Sequence, residues 1–290
     1  MKPTTLLILA ASMTSTLMAT AVAQTADDTN QTLKAAIDGQ HRTPAFKQRD
    51  RYRHPLATLE FFGIRPDMSV VEVLPGAGWY TEILAPFLKE RGRLIEATPP
   101  VSSANPFYRK MANMYEGKLL SNPEIYGKVQ TLAYEPPEYM PLGAPESADM
   151  IATFLNLHDF VYVNTHGEVT DAIMQRFFQS AYQALKPGGV LGIVEHRARA
   201  GESVSDAIPK GRIPQSYVIQ QAMRAGFELA GTSEINANPK DDGSYPVWYL
   251  PPTLKLGNKD RDKYLAIGES DDMTLRFIKR SIDHPGDVAR

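Results

Sequence analysis

One stretch constrains the fold more than any other: Val70-Val71-Glu72-Val73-Leu74-Pro75-Gly76-Ala77-Gly78-Trp79-Tyr80-Thr81-Glu82-Ile83-Leu84. It opens as a short β-branched apolar run, the composition of a strand covered on both faces in a parallel sheet. It breaks at Pro75-Gly76-Ala77-Gly78, where glycines permit a tight turn and close approach of a ligand to the backbone. It resumes with Ile83, Leu84, Phe87 and Leu88 spaced along one helical face. Strand, glycine turn and helix open a nucleotide-binding α/β unit, with the free N–H groups of the helix turned toward an acceptor or anion. Pro86 falls inside that helix and is expected to remove one backbone hydrogen bond.

The later order of elements repeats this alternation. Strands are expected at Gly92–Thr98, Val129–Ala133, Ala148–Phe154 and Val190–His196. Helices are expected at about 105–119, 171–185 and 214–225. A further strand follows Gly226, and Thr274–Arg280 alternates as an antiparallel last strand. Between them, 245–272 is mostly Pro, Gly and charge and reads as an excursion or lid. The composite is a Rossmann-like, doubly wound α/β domain with a mostly parallel seven-stranded sheet.

Two motifs carry a family resemblance. Leu185-Lys186-Pro187-Gly188-Gly189-Val190-Leu191, between a helix and a strand, resembles the fifth-strand entry of class I S-adenosylmethionine-dependent methyltransferases. With Glu72–Gly78, the chain resembles that superfamily over roughly 70–280. More narrowly, Pro75–Leu84 resembles the Pro-Gly-x-Gly-Trp-Tyr-Thr-Glu-Ile-Leu motif of an exported predicted-methyltransferase branch. The resemblance implies S-adenosylmethionine as cofactor and methyl transfer to a small-molecule acceptor. The rival reading from another class is a non-catalytic binding or assembly protein on an inherited methyltransferase scaffold. A hydrolase is disfavoured, because no Gly-x-Ser-x-Gly elbow occurs.

The same resemblance distributes roles. Glu72 would orient the glycine loop, and an unpartnered acid in that apolar run would cost several kcal/mol. Gly76 and Gly78 would bring the backbone to the cofactor, while Leu74 and Pro75 depart from the glycine and small residue of many members. At the end of the second strand Thr98 stands where relatives hold the ribose with an acid, and Glu96, two residues earlier on the same face, is the substitute. Trp79 and Tyr80 are expected to pack the loop. Tyr134 or Glu135 would lie where relatives contact adenine.

His158 and His196 are selected from six histidines because each follows a strand whose carboxyl end should neighbour that of the first. A neutral imidazole there would take the acceptor's proton as the methyl group arrives. A metal set from His158, Asp159, Glu195 and His196 has no helical or loop spacing to single it out, so none is expected.

The N-terminus has Lys2, the apolar run Leu6–Ala11 and then Ala21-Val22-Ala23, the pattern of an export signal cut after Ala23. The expected organisation is a signal peptide at 1–23, an N-terminal helical arm at 24–66, the catalytic-type domain at 67–282 and a flexible tail at 283–290. Location would be periplasmic or secreted, with no stable membrane span once the signal is gone. The chain has no Cys, so neither a disulfide nor a lipid attachment of the lipoprotein kind is available. Loss of Lys2 takes the formal charge from −2 to −3, which argues against nucleic acid as partner. Within the arm, Arg49-Asp50-Arg51-Tyr52-Arg53-His54 is either a solvated ion-pair set or a cover in which Arg51 or Arg53 meets a ligand carboxylate.

Overall fold

A computed structural model describes residues 28–255 and 259–280. The expected signal peptide and tail lie outside the described residues.

Seven strands form one sheet: β1 (Ser69–Val73), β2 (Arg93–Thr98), β3 (Gln130–Ala133), β4 (Ala148–Phe154), β5 (Leu185–His196), β6 (Phe227–Ser233) and β7 (Asp272–Lys279). Their order is β3-β2-β1-β4-β5-β7-β6. Every pairing from β3 to β5 is parallel, and β7 alone runs antiparallel, between β5 and β6. The doubly wound expectation therefore holds, with the carboxyl ends of β1, β4 and β5 side by side. β1 is buried at all five positions, as its continuous apolar run requires. β5 begins at Leu185, five residues before the expected Val190, because Leu185 already pairs with Ala148 before the ladder shifts register to Met150 and Val190. Lys186–Gly189 bulges between these two pairings.

Two apolar layers cover the faces. One holds α1 (residues 28–38), α2 (Pro55–Phe62) and α3 (Thr81–Leu88), whose Leu33, Leu59, Phe62, Ile83 and Leu84 pack with Val70, Met150 and Val194. The last helix of the expected arm thus shares the sheet's own core. A fourth helix, α4 (Pro106–Ser121), follows β2. The other layer holds α5 (Ala172–Ala184) and α6 (Gln215–Arg224), with Phe177, Phe178 and Val218 packed on Val71, Ile151, Ile193 and Leu275. Burying a Leu, Ile or Phe side chain contributes about 1.5–3 kcal/mol, so these two layers are the main source of stability.

The 245–272 excursion has structure of its own. It carries helix α7 (Arg261–Ile267) and a small core of Leu250, Leu254 and Tyr264. Asp241, just before it, pairs with Arg212 at 2.8 Å, both side chains fully buried. Arg49 of the arm reaches Glu269 through two bonds of 2.6 and 2.9 Å. Among the described residues no helix is long and apolar enough to cross a membrane.

Candidate functional site: the rim of strands one, two, four and five

The glycine turn leaves β1 through three residues with positive φ: Leu74 (50°), Gly76 (60°) and Gly78 (79°). Leu74 thus takes the left-handed conformation without being a glycine, at a cost of about 1–2 kcal/mol. Leu155, at the end of β4, does the same with φ 63°. Asn156 ties the two strand ends together, its amide donating to the Val73 carbonyl at 2.9 Å.

The two glycines differ. A Cβ on Gly76 would meet nothing within 4 Å among the described residues, so its face is open. A Cβ on Gly78 would lie 2.6 Å from the Lys118 side chain and 3.3 Å from Tyr115. Helix α4 therefore covers Gly78, and the free approach to the loop is over Gly76. In the sequence both glycines are expected at the cofactor, because nothing in 105–121 marks that helix as a cover.

Each residue after the turn has a partner. Trp79 donates its indole N–H to the Phe46 carbonyl at 3.0 Å, with Arg42 and Arg53 over its ring at 5.0 and 4.7 Å. Tyr80 stacks on Phe154 with centroids 3.5 Å apart. Thr81 donates to Glu72 Oε2 at 3.2 Å and lies 3.0 Å from the Tyr115 hydroxyl. Glu82 is buried and accepts from the Thr43 N–H (2.9 Å), the Thr43 hydroxyl (2.6 Å) and Lys118 Nζ (2.6 Å). This carboxylate joins the arm, α3 and α4. Its role was legible only in retrospect: an acid among Ile83, Leu84 and Phe87 needs partners, and they come from 39 residues upstream and 36 downstream.

Glu72 and Glu96 face each other across the β1–β2 ladder, and both are buried. Among the described residues neither oxygen of Glu96 has a hydrogen-bond partner. Burial raises the Glu72 carboxyl to about 7. Burial, and next the charge of Glu72, push Glu96 well above the usual carboxylate range. At least one proton resides on this pair at neutral pH. Thr98 sits above it at the strand end, on the wall of a cavity of about 430 Å³ shared with Pro99, Tyr115, Leu119, Leu132 and Ala133. Tyr134 does not line this cavity; it is fully buried in the α5–α6 layer. Glu135 accepts from the Ser103 hydroxyl at 2.6 Å.

The two histidines meet at the ends of β4 and β5, with ring centroids 5.3 Å apart and planes at 41°. His158 lies in the 3₁₀ turn Leu157–Phe160, and its Nδ1 is 2.8 Å from Glu195 Oε1. Glu195 is fully buried and also accepts from the backbone N–H of Leu157 (2.5 Å) and of His196 (2.8 Å). His196 Nδ1 lies 2.8 Å from Asp272 Oδ1 and 2.7 Å from the Ser270 hydroxyl. Burial alone would lower the pKa of His158; the Glu195 carboxylate outweighs it and holds the imidazole at about 9. Each ring is thus gripped from behind at Nδ1. Nothing in the sequence marks Asp272, which comes from a strand 76 residues away. Glu195 was within reach, since it interrupts an apolar run as Glu72 does.

Among the described residues Arg51 and Arg53 form no ion pair; within the arm the carboxylate partners belong to Arg42 (Asp50, 2.7 Å) and Arg49 (Glu269). Arg53 instead lies over Trp79 and Tyr80.

No protein-family model matches the chain, and no curated protein does. Solved structures do match. An S-adenosylmethionine-dependent methyltransferase from Aquifex aeolicus is 15% identical, with 80% of this chain and 93% of that one covered, at a TM-score of 0.50. Geranyl diphosphate C-methyltransferase from Streptomyces coelicolor A3(2) is 15% identical over 84% and 89% of the two chains, at 0.50. The [4+2]-cyclase SpnF is 15% identical over 87% and 93%, at 0.53. The chain therefore has the class I fold of the S-adenosylmethionine-dependent methyltransferases. The cyclase among these structures shows that the fold alone does not dictate the reaction.

Proposed function

We propose that this protein transfers a methyl group from S-adenosylmethionine to a small-molecule acceptor after export, as a member of the exported branch that its Pro75–Leu84 motif resembles. One observation carries the reading: an open, positive-φ glycine turn at Gly76, at the carboxyl end of β1 and bound to the end of β4. Open α/β sheets bind their ligands there, outside the carboxyl ends of the strands. The solved structures that share this fold include methyltransferases, one of them in complex with S-adenosyl-L-homocysteine.

The residues support a division of labour. Gly76 and the backbone up to Gly78 would receive the cofactor, with Glu72 bracing the turn through Thr81. Thr98, with Glu96 beneath it, would form the ribose end. The acceptor would sit at the two-histidine rim. His158, kept protonated by Glu195 at neutral pH, would orient the acceptor, and His196 would receive its proton. Most of the rate would come from holding the acceptor in line with the methyl group.

Calorimetry of the processed chain with S-adenosylmethionine and S-adenosylhomocysteine tests the reading. A dissociation constant of micromolar or better, about −8 kcal/mol, is expected. No heat at millimolar cofactor would favour the non-catalytic scaffold instead. Given an acceptor, His196→Ala should lower turnover about 10²–10⁴-fold with the fold intact.

A further inference from the structure

The two-histidine rim has the dimensions and the surroundings of a metal centre. His158, Glu195 and His196 each place a donor atom within 4.8 Å of the others. Glu195 already accepts from two backbone N–H groups and stands behind His158 Nδ1, and Asp272 stands behind His196 Nδ1. That is the outer-shell arrangement of metal-binding histidines, in which a carboxylate holds one ring nitrogen and frees the other to coordinate. The free atom on both rings is Nε2.

The spacing fits a tetrahedral ion. With a metal–nitrogen distance of about 2.1 Å and the ring centre about 1.1 Å further on, two imidazoles on one tetrahedral ion have centroids roughly 5.2 Å apart. The observed separation is 5.3 Å. Two donors on such an ion lie about 3.4 Å apart. His158 Nε2 and Asp159 Oδ1 are 3.6 Å apart. Asp159 is largely exposed, so its carboxylate is free to turn toward an entering ion. Three carboxylates, Asp159, Glu195 and Asp272, surround these two rings, a field that draws in a dication.

We infer that His158 Nε2, His196 Nε2 and the Asp159 carboxylate bind one divalent ion of the zinc type, with Glu195 and Asp272 as the braces behind the two imidazoles. Three protein donors leave a position for a water or for an oxygen or nitrogen of the acceptor. The ion would displace the Nε2 proton of His158 and take over the polarising of the acceptor, so this inference shares the rim with the function proposed above. It does not depend on methyl transfer, because binding is read directly. Sequence spacing gave no sign of it: the donors come from two strand ends 38 residues apart, brought together only by the β4–β5 pairing.

The test is titration of the chelator-treated, tag-free processed chain with Co²⁺ and Zn²⁺, in mildly alkaline buffer to limit proton competition. One Co²⁺ per chain with the visible absorption of a tetrahedral ion is expected. Asp159→Asn and Asp272→Asn should each weaken binding about 10–100-fold, and His196→Ala should abolish it. Asp159 is exposed, so its variant reports even if a histidine variant unfolds. His166→Ala, on an exposed loop, should change nothing. No binding at millimolar metal, or equal binding by wild type and the Asp159→Asn and His196→Ala variants, overturns the site. Cofactor heat without metal binding would sink the metal centre alone; metal binding without cofactor heat would sink methyl transfer alone.

Discussion

Removing the charge from the buried Glu72–Glu96 pair should flatten the pH dependence of stability. The Glu72 carboxyl ordinarily titrates near 4.5 and is raised to about 7 in the folded chain. Below 4.5 the carboxyl is protonated in both states, and its contribution to stability is fully present. Between 4.5 and 7 the folded state keeps a proton that the unfolded chain releases, so stability falls as pH rises. Above about 7 the loss is complete for Glu72. The difference between 4.5 and 7 corresponds to about 3 kcal/mol at 1.36 kcal/mol per tenfold change in proton affinity. Glu96, raised in the same direction, adds to the decline. Urea unfolding of wild type, Glu72→Gln and Glu72→Gln/Glu96→Gln, followed by circular dichroism from acid to mildly alkaline pH, reads these slopes. Between about 4.5 and 7 the single variant should lose part of the wild-type slope and the double variant more of it, while the decline that His158 adds between its ordinary 6.5 and about 9 remains in all three. Parallel curves for wild type and double variant would refute a buried proton on this pair.

Four further outcomes are expected. Gly76→Ala fills the open face of the loop; it should cost about 1 kcal/mol in stability for its positive φ yet eliminate the calorimetric heat of S-adenosylmethionine. Gly78→Val should act on the fold instead, displacing Lys118 from Glu82 and lowering stability by about 2–4 kcal/mol in chemical denaturation. Arg212→Ala leaves Asp241 buried without its cation and should cost about 3–5 kcal/mol; a loss under about 1 kcal/mol would mean that backbone N–H donors satisfy Asp241 unaided. Mass spectrometry of exported protein should find Gln24 as the first residue, and a chain beginning at Met1 would contradict export by a cleaved signal.

The sequence by itself determined the layering. A period of two or a continuous β-branched run, set against a period near 3.6, follows from backbone geometry, so the strands, helices and glycine turn were legible within a few residues. It also pointed to the paired histidines, because a doubly wound sheet places successive strand ends on one rim. What it did not carry is everything that depends on contact between distant segments. Helix α4 closes over Gly78 while Gly76 stays open, although the two glycines look equivalent in the motif. Glu82 gathers Thr43 and Lys118 from either side of the chain, and Asp272 reaches His196 only because the last strand inserts beside β5. The 245–272 segment has no period, yet Leu250, Leu254 and Tyr264 give it a core of its own. The physical reason is one throughout. Local periodicity decides which face of an element is apolar, whereas the partner of a buried charge is set by which segments the packed fold brings together, and a linear pattern holds no record of that distance.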